Sequence, residues 1–130
     1  WPFLGVSTIE TERPGLSFMI DSVKIMKAQY PGSDLYLLMG DDNLATLSTW
    51  KNWETIFDFV EVIVFRKDCR SQVNQPFLEP FKNKIHNSSA PVLEISSTEI
   101  RTRVLKGMNT DLLLPEQVQR FILTNGLYKN

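Results

Sequence analysis

The chain has 130 residues, 42% of them hydrophobic, which suits a single domain with a buried core that we expect to span residues 1–130. Its 14 basic and 15 acidic residues leave a net charge near −1, which excludes the strongly basic surface of a nucleic-acid-binding protein. No apolar run approaches the roughly 20 residues that span a bilayer, and the first residues do not form a signal peptide, so no membrane contact is expected.

The first third of the chain predicts a strand, a turn and a helix. Residues Phe3–Ile9 have the composition of a short strand, and Glu10–Gly15 form a polar turn. Apolar residues then recur at helical spacing from Leu16 to Tyr30, after which a Pro-Gly pair ends the pattern. Ser17 is the predicted N-cap of this helix.

The middle of the chain predicts two buried strands separated by short helices. Leu35–Met39 and Glu61–Phe65 are nearly unbroken apolar runs, typical of strands that are buried on both faces of a parallel sheet. Between them, apolar residues from Leu44 to Phe57 mark one or two short helices. Residues 67–91 are predicted to be mostly loop, with one short helix around residues 78–85.

The last part of the chain predicts one more strand and two helices. Pro91–Ile95 forms the strand and leads directly into a helix over Ser97–Lys106, which Gly107 ends. The last helix begins at Pro115 and ends at an Asn-Gly pair, residues 125–126. Strands that alternate with helices indicate an α/β fold with a mainly parallel sheet.

Polar residues follow one buried strand at the sheet edge where α/β proteins bind ligands. Gly40 permits a tight turn there, and the carboxylates of Asp41 and Asp42 are expected to point outward. Composition favours a plainer interpretation, in which these residues form a solvated turn that caps the next helix.

A second polar junction, residues 96–101 (SSTEIR), joins a predicted strand to a helix. Ser96 and Glu99 fit a capping box, which is the structural explanation. Three successive hydroxyls and Arg101 one turn later exceed what a cap needs. Together with the free amide groups and positive end of the helix, they would form an anion site suited to phosphate. These residues alone leave both explanations equally open.

The pair Trp50 and Trp53 is three residues apart, and we expect both on one helical turn. Trp53 is assigned to the core. Trp50 lies eight residues after Asp42, close enough to share its cleft, where an indole would stack on a planar aromatic ring. A core position for Trp50 is the more common alternative.

The lone histidine and the lone cysteine are assigned no function. His86 and Cys69 lie in the predicted loop without the spacing of a catalytic triad or a metal site. One cysteine cannot form an internal disulfide, so we expect a reducing, cytoplasmic setting.

Four segments carry motifs in chain order: VSTIETERPGLSFMIDSV (6–23), LLMGDDNLATLSTWKNWETI (37–56), ISSTEIR (95–101) and LLPEQVQRFILTNGLY (113–128). They resemble four features of the bacterial nicotinate-nucleotide adenylyltransferases. These are a segment ending in SYTxDTL, a GxD stretch with a tryptophan eight residues beyond the aspartate, the ISSTxIR signature and the closing helix. The resemblance covers nearly the whole chain and implies a Rossmann-like nucleotidylyltransferase fold.

The resemblance implies that AMP is transferred from ATP to nicotinate mononucleotide in NAD biosynthesis, with Mg²⁺ assisting on the ATP phosphates and pyrophosphate as the second product. ATP and the mononucleotide are then the partners. By the same resemblance Ser97, Thr98 and Arg101 would hold the ATP phosphates, whereas Gly40 and Asp42 would line the adenosine and ribose pocket.

For the mononucleotide, the resemblance places Trp50 against the pyridine ring. The backbone of Ser17, Phe18 and Met19 would grip the ring carboxylate. Met19 stands where the family motif has threonine, so backbone contacts would survive and a hydroxyl contact would be lost.

Residues 1–130 contain no match to the family's GxFxPxHxGH motif, whose histidines stabilise the transferring phosphate. The resemblance therefore covers the carboxyl-terminal two-thirds of the fold, without its first two strands and their helices, and assigns no catalytic or metal-binding residue here. Without them, we expect the strand at Phe3–Ile9 to lack a neighbour and Leu35–Met39 to leave an exposed apolar edge. We expect an amino-terminal segment outside residues 1–130, which the missing initiator methionine agrees with, or a second chain, to complete the sheet. A homo-oligomer would do the same.

Three alternatives stay open. Nicotinamide mononucleotide is one alternative acceptor, although the residues around Trp50 and Trp53 look more like the nicotinate type. The chain would otherwise be an inert nucleotide-binding fragment, because the histidine motif is missing. A generic phosphate-sugar-binding domain would need only residues 97–101 and leaves the other matches unexplained.

Overall fold

A computed structural model of the chain describes residues 3–66, 75–91 and 95–128. The chain separates into a larger unit, Trp1–Val92, and a smaller unit, Leu93–Asn130. The elements of the larger unit are α1 (Met19–Gln29), β1 (Tyr36–Gly40), α2 (Asp41–Ala45), a 3-10 helix (Leu47–Thr49), α3 (Trp53–Ile56), β2 (Glu61–Phe65), a second 3-10 helix (Pro76–Lys84) and β3 (Ile85–Asn87). The smaller unit contains α4 (Ser97–Leu105) and α5 (Glu116–Thr124).

The three strands form a parallel sheet in the order β1-β2-β3. The register pairs Tyr36 with Glu61 and Gly40 with Phe65, so β1 and β2 end at the same edge of the sheet. Between β1 and β2 the chain passes through helices, as parallel pairing requires. The predicted α/β class with a parallel sheet is confirmed.

One face of the sheet carries the core of the larger unit. Val62 and Val64 of β2 are fully inaccessible to solvent, and Met39 of β1 is 6% exposed. Helix residues close over them, among them Ile20 of α1 and Ile56 of α3. Burying an aliphatic side chain of this size contributes about 1.5–3 kcal/mol, so this face supplies most of the apolar burial that holds the strands and helices together.

The opposite face differs from the prediction that both strands are buried on both sides. Tyr36 and Leu38 of β1 are 51% and 59% exposed, and Phe65 of β2 is 40% exposed. Successive side chains in a strand point to opposite faces, and the helices of the larger unit pack against the face that carries Val62 and Val64. An apolar run is therefore not sufficient to show that both faces are covered.

The predicted strand at Phe3–Ile9 is wrong. Residues 3–8 are exposed and have no strand conformation, and Val6 is 98% exposed. Within the described residues β1 pairs only with β2, so one edge of β1 and the segment before α1 both lack a strand partner. A strand needs such a partner to satisfy its backbone hydrogen bonds, which explains why this segment stays irregular, and the expected open edge at β1 is present.

Helix α1 begins later than predicted, and Ser17 is not its N-cap. Phe18 holds that position without a side-chain hydrogen bond to the helix. The Ser17 hydroxyl donates instead to the backbone carbonyl of Glu10, at 3.0 Å. The helix ends at Gln29, one residue before the predicted end at Tyr30.

The predicted loop over residues 67–91 contains more structure than expected. The short helix is present as the 3-10 helix Pro76–Lys84, and Ile85–Asn87 forms a third strand beside β2. A strand of three residues with only one apolar side chain is too short to show an alternating pattern in the sequence. Residues 67–74, and residues 92–94 of the strand predicted at Pro91–Ile95, lie outside the described residues.

The two helices of the smaller unit agree closely with the predictions. Helix α4 ends at Leu105, and Gly107 adopts a left-handed φ of 65°, which favours glycine at a helix end. Pro115 is the N-cap of α5, and Asn125 is its C-cap. Among the described residues, no helix combines the length and apolar character that crossing a bilayer requires.

Candidate functional site

The end of β1 places two carboxylates in the first turn of a helix. Gly40 is the last residue of β1 and the N-cap of α2. The Asp41 carboxylate accepts a hydrogen bond from the Asp42 amide, and the Asp42 carboxylate accepts one from the Asn43 amide, both at 3.0 Å. Negative charge is favourable at this end of a helix. The turn therefore does serve the helix start, as the plainer interpretation predicted.

Gly40 lies close to the Asp42 side chain and has no special backbone conformation. Its φ of −76° and ψ of 158° are ordinary for any residue. A Cβ atom at this position would lie 2.5 Å from Oδ1 of Asp42. The expectation that the glycine permits an unusual tight turn is wrong, and its absent side chain instead leaves room for the Asp42 carboxylate.

A cleft of about 320 Å³ opens between the segment before α1 and the end of the first 3-10 helix. Its lining residues are Ser17, Phe18, Met19, Thr49, Trp50 and Lys51. The structure thus brings together all four residues that the motif resemblance assigned to one ligand. Gly40 and Asp42 do not belong to the lining of this cleft.

Trp50 and Trp53 are separated by a sharp change of chain direction. Asn52 adopts left-handed backbone angles, φ 50° and ψ 41°, between the 3-10 helix and α3. The two indoles therefore do not share one helical turn, contrary to the prediction. Trp53 packs edge-to-face on Phe77 and Phe81, with ring centroids 5.2 and 5.5 Å away, which confirms its place in the core. Trp50 is half-buried and packs against the core while it lines the cleft.

Lys51 is the cleft residue that the sequence analysis missed. Its ammonium nitrogen lies 4.2 Å from the centroid of the Phe18 ring, a cation–π contact. The other lining side chains are uncharged. The only signal in the sequence is its position next to Trp50, because an isolated lysine in a polar stretch is usually a solvated surface charge.

A hydrogen-bond network holds the segment that forms one wall of the cleft. The Ser22 hydroxyl of α1 donates to Oε1 of Glu10, at 2.5 Å, and accepts from Nη2 of Arg13, at 3.0 Å. The Ser17 hydroxyl donates to the carbonyl of Glu10. Ser22 is 6% exposed. Loss of its hydroxyl would therefore remove one part-buried hydrogen bond from each of its two charged partners, Glu10 and Arg13. The network anchors residues 10–17 to α1.

The smaller unit carries the second predicted site at the start of α4. The Ser96 hydroxyl accepts from the Glu99 amide at 3.1 Å, so half of the predicted capping box forms. The Glu99 carboxylate pairs with Arg103 at 2.9 Å and not with the Ser96 amide. Nη2 of Arg101 donates to the Thr98 hydroxyl at 3.2 Å.

The side chains of Ser97, Thr98 and Arg101 are all exposed, so this helix start offers accessible hydroxyls and a guanidinium. Free amides at a helix start and an arginine are the groups that bind phosphate oxygens. The local geometry therefore contains both the cap and an accessible set of anion-binding donors.

The only histidine lies on the sheet. Nε2 of His86 on β3 is 2.6 Å from Oε2 of Glu61 on β2, and its ring meets the edge of Tyr36. His86 is exposed, as predicted. Within residues 3–66, 75–91 and 95–128 there is no group of three or more His, Cys, Asp or Glu residues that could hold a metal ion. Cys69 lies outside these residues.

Comparison with known proteins agrees with the motifs. Residues 2–103 match the model of the cytidylyltransferase-like family. A probable nicotinate-nucleotide adenylyltransferase of Dictyoglomus turgidum is 35% identical over 129 residues, which cover 98% of this chain and 64% of that protein. A protein of the same description from Salinibacter ruber is 33% identical, with 98% and 65% covered. The chain thus spans about 64% of the length of the first of these curated relatives.

Solved structures share the fold. Plasmodium falciparum nicotinic acid mononucleotide adenylyltransferase complexed with APC superposes with a TM-score of 0.68 at 20% identity, covering 88% of this chain and 60% of that one. The same protein complexed with NaAD gives a TM-score of 0.67, with 87% and 58% covered. At this identity the likeness shows the fold alone, and it confirms the predicted Rossmann-like class.

Replacing Gly40 by alanine should move the Asp42 carboxylate and change the stability of the fold only slightly. The new Cβ meets only the end of a flexible side chain, so we expect the free energy of unfolding to change by less than about 0.5 kcal/mol. The amide resonance of Asn43, whose hydrogen bond to Asp42 would be lost, should shift in an NMR spectrum. Gly32→Ala is the control, because a Cβ there meets nothing within 4 Å. An unchanged Asn43 resonance would contradict this account.

Replacing Ser22 by alanine should destabilise the protein by about 1–3 kcal/mol, because Glu10 and Arg13 each lose a sheltered hydrogen bond. Urea unfolding of the natural polypeptide that carries these residues measures the change. Ser33→Ala is the matched control, since Ser33 is exposed and its hydroxyl makes no hydrogen bond within the described residues. Equal effects of the two substitutions would rule out the proposed anchoring.

Proposed function

Because this chain belongs to the cytidylyltransferase-like family, we propose that it carries the substrate-binding elements of an enzyme that transfers AMP from ATP to nicotinate mononucleotide. In this reaction a phosphate oxygen of the mononucleotide forms a bond to the α-phosphorus of ATP, and the bond from that phosphorus to the β-phosphate oxygen breaks. Nicotinate adenine dinucleotide and pyrophosphate are the products, and NAD biosynthesis is the pathway. The names of the relatives that align with 98% of the chain support this proposal.

The observation that carries the proposal is the cleft between α1 and the first 3-10 helix. Its volume of about 320 Å³ falls in the range of small-molecule sites, roughly 300–1,000 Å³. A pyridine ring would stack on the indole of Trp50, while backbone amides of the segment from Ser17 to Met19 would face the ring substituent. These segments are 30 residues apart in the chain, and the fold unites the residues that the motifs assign to one substrate.

For ATP, we propose two groups of residues. The exposed hydroxyls of Ser97 and Thr98 and the guanidinium of Arg101 would bind phosphate oxygens at the start of α4. At the end of β1, a nucleoside would lie beside Gly40, and an Asp42 oxygen would accept a hydrogen bond from a ribose hydroxyl. The hydroxyls and the guanidinium suit the anionic triphosphate, and the carboxylate suits the neutral sugar as a hydrogen-bond acceptor.

Mg²⁺ is proposed to enter with ATP. The ATP phosphates would supply oxygen ligands to the ion. When bound, the ion neutralises charge on the phosphates. The residues of this chain orient the nucleotide and add positive charge through Arg101.

A second candidate is a chain that binds nucleotides without catalysing transfer. It is favoured by one observation: His86, the one histidine of residues 1–130, is held by Glu61 on the sheet. Phosphoryl transfer depends on charge stabilisation at the reacting phosphate. A polypeptide without a histidine at that phosphate would bind substrates and turn them over poorly.

The test uses the natural polypeptide that carries these residues, incubated with ATP, Mg²⁺ and nicotinate mononucleotide. We expect nicotinate adenine dinucleotide and pyrophosphate in equal amounts, measured by chromatography and a coupled pyrophosphate assay. Tryptophan fluorescence reports mononucleotide binding in parallel, through Trp50. Binding without dinucleotide would support the second candidate, and absence of both would contradict the two candidates together.

Replacing Arg101 by alanine should weaken ATP binding about 10-fold or more, since hydrogen bonds to charged groups contribute roughly 1.5–3 kcal/mol. Nicotinate mononucleotide should bind almost as before. Arg120→Ala is the matched control, because Arg120 is an exposed helix arginine paired with Glu116 at 2.7 Å. Dissociation constants from titration calorimetry separate the two substrates. An equal loss for both substrates would show that Arg101 does not act on the ATP phosphates.

A further inference from the structure

We propose that Lys51 makes the cleft selective for the acid form of the pyridine mononucleotide over the amide form. The inference rests on the proposed function and adds a specificity-determining side chain to it. Stacking on Trp50 and hydrogen bonds from backbone amides are available to both forms. A positive charge would add to whatever discrimination the backbone donors provide between a ring carboxylate and a ring carboxamide, and Lys51 is the one charged side chain in the lining.

The position of the ammonium group supports this role. Nζ of Lys51 lies 4.2 Å from the centroid of the Phe18 ring, so the positive charge rests over an aromatic face that also lines the cleft. Within the described residues Lys51 belongs to no ion pair, since the ion pairs of the larger unit join other side chains. Its charge is therefore available to a ligand in the cleft.

The chemistry of the two ligands turns this charge into selectivity. The acid and amide mononucleotides share the pyridine ring, the ribose and the phosphate, and they differ only in one ring substituent. An ammonium group has three donors and no acceptor. With a carboxylate it forms an ion pair in which both partners are charged, whereas its hydrogen bond to the neutral carbonyl of a carboxamide lacks this attraction between opposite charges. The amide also has an NH₂ group, and the ammonium group cannot accept a hydrogen bond from it.

The Phe18 ring restrains the Lys51 ammonium group through the cation–π contact. A cation over an aromatic ring is attracted by the electron-rich face, so the lysine side chain is restrained near the position that a carboxylate would need. Restraining a flexible side chain before binding lowers the entropy that the ligand must overcome. Removal of the Phe18 ring should therefore weaken the selectivity less than removal of the charge.

The test compares Lys51→Gln with Lys24→Gln in the natural polypeptide. Lys24 is the matched control, because its ammonium also lies over a phenylalanine ring, 6.0 Å from the centroid of Phe59, and it does not line the cleft. Dissociation constants for nicotinate and nicotinamide mononucleotide are measured with each protein. We expect Lys51→Gln to lower the preference for the acid by about 2- to 5-fold and Lys24→Gln to leave it unchanged.

Charge variants and salt separate electrostatics from structural damage. Lys51→Arg should restore most of the preference, and Lys51→Glu should reverse it. Because Lys51 is exposed, added salt should reduce the preference of the unaltered protein and have little effect on that of Lys51→Gln. The shared phosphate contributes equally to both ligands, so the ratio of their dissociation constants isolates the ring substituent.

Two results would overturn the inference, and they are distinguishable. If both mononucleotides bind and Lys51→Gln leaves their ratio unchanged, selectivity does not come from Lys51, while the proposed function stands. If the unaltered polypeptide binds neither mononucleotide, the proposed function fails and the inference fails with it.

Discussion

The burial of one sheet face is the constraint on which the larger unit depends. Val62 and Val64 are inaccessible to solvent, and the helices between the strands close over them. Because side chains alternate along a strand, this burial also determines which side chains remain on the outer face. The parallel register then places the ends of β1 and β2 at one edge, where Gly40 meets the start of α2.

The same packing forms the cleft. Phe18, Met19 and Trp50 pack against the core from two distant parts of the chain, and each also lines the cleft. Side chains that pack against a core lose little further freedom when a ligand binds. The network of Ser22, Glu10 and Arg13 extends this restraint to the segment before α1. The cleft is therefore largely preformed, as small-molecule sites usually are.

The two proposed substrates call for different electrostatics, and the chain supplies them in different ways. Phosphates carry several negative charges, and the start of α4 offers hydroxyls, free amides and Arg101 together. A ring carboxylate carries one charge beside a large apolar surface. A stacking indole with one restrained ammonium suits that ligand, and both lie within a single cleft.

Much of the fold was predictable from local patterns. The bounds of β2 agree with the prediction, α4 differs by one residue, and the Ser96 cap forms as expected. The apolar run, the cap and the terminal glycine each depend only on residues a few positions away in the sequence. The assignment of Ser17, Phe18, Met19 and Trp50 to one ligand came from motifs, and these four residues do line one cleft.

Where the predictions failed, the cause lay outside the local segment. Phe3–Ile9 has the composition of a strand but finds no partner strand among the described residues. Tyr36 and Leu38 belong to an apolar run, yet whether they are covered depends on elements elsewhere in the chain. A short polar stretch, Ile85–Asn87, becomes a strand because β2 offers it an edge.

The sequence by itself determined β2, the two helices of the smaller unit, the Ser96 cap and the motifs that identify the family. Only the tertiary structure decided that Asn52 separates Trp50 from Trp53 by its left-handed backbone angles. It also decided that the Asp42 carboxylate lies against Gly40 and that the Lys51 ammonium lies over the ring of Phe18. The physical reason is the range of the interactions. Caps and periodicity depend on neighbours along the chain, whereas a cleft depends on which distant apolar surfaces exclude water together.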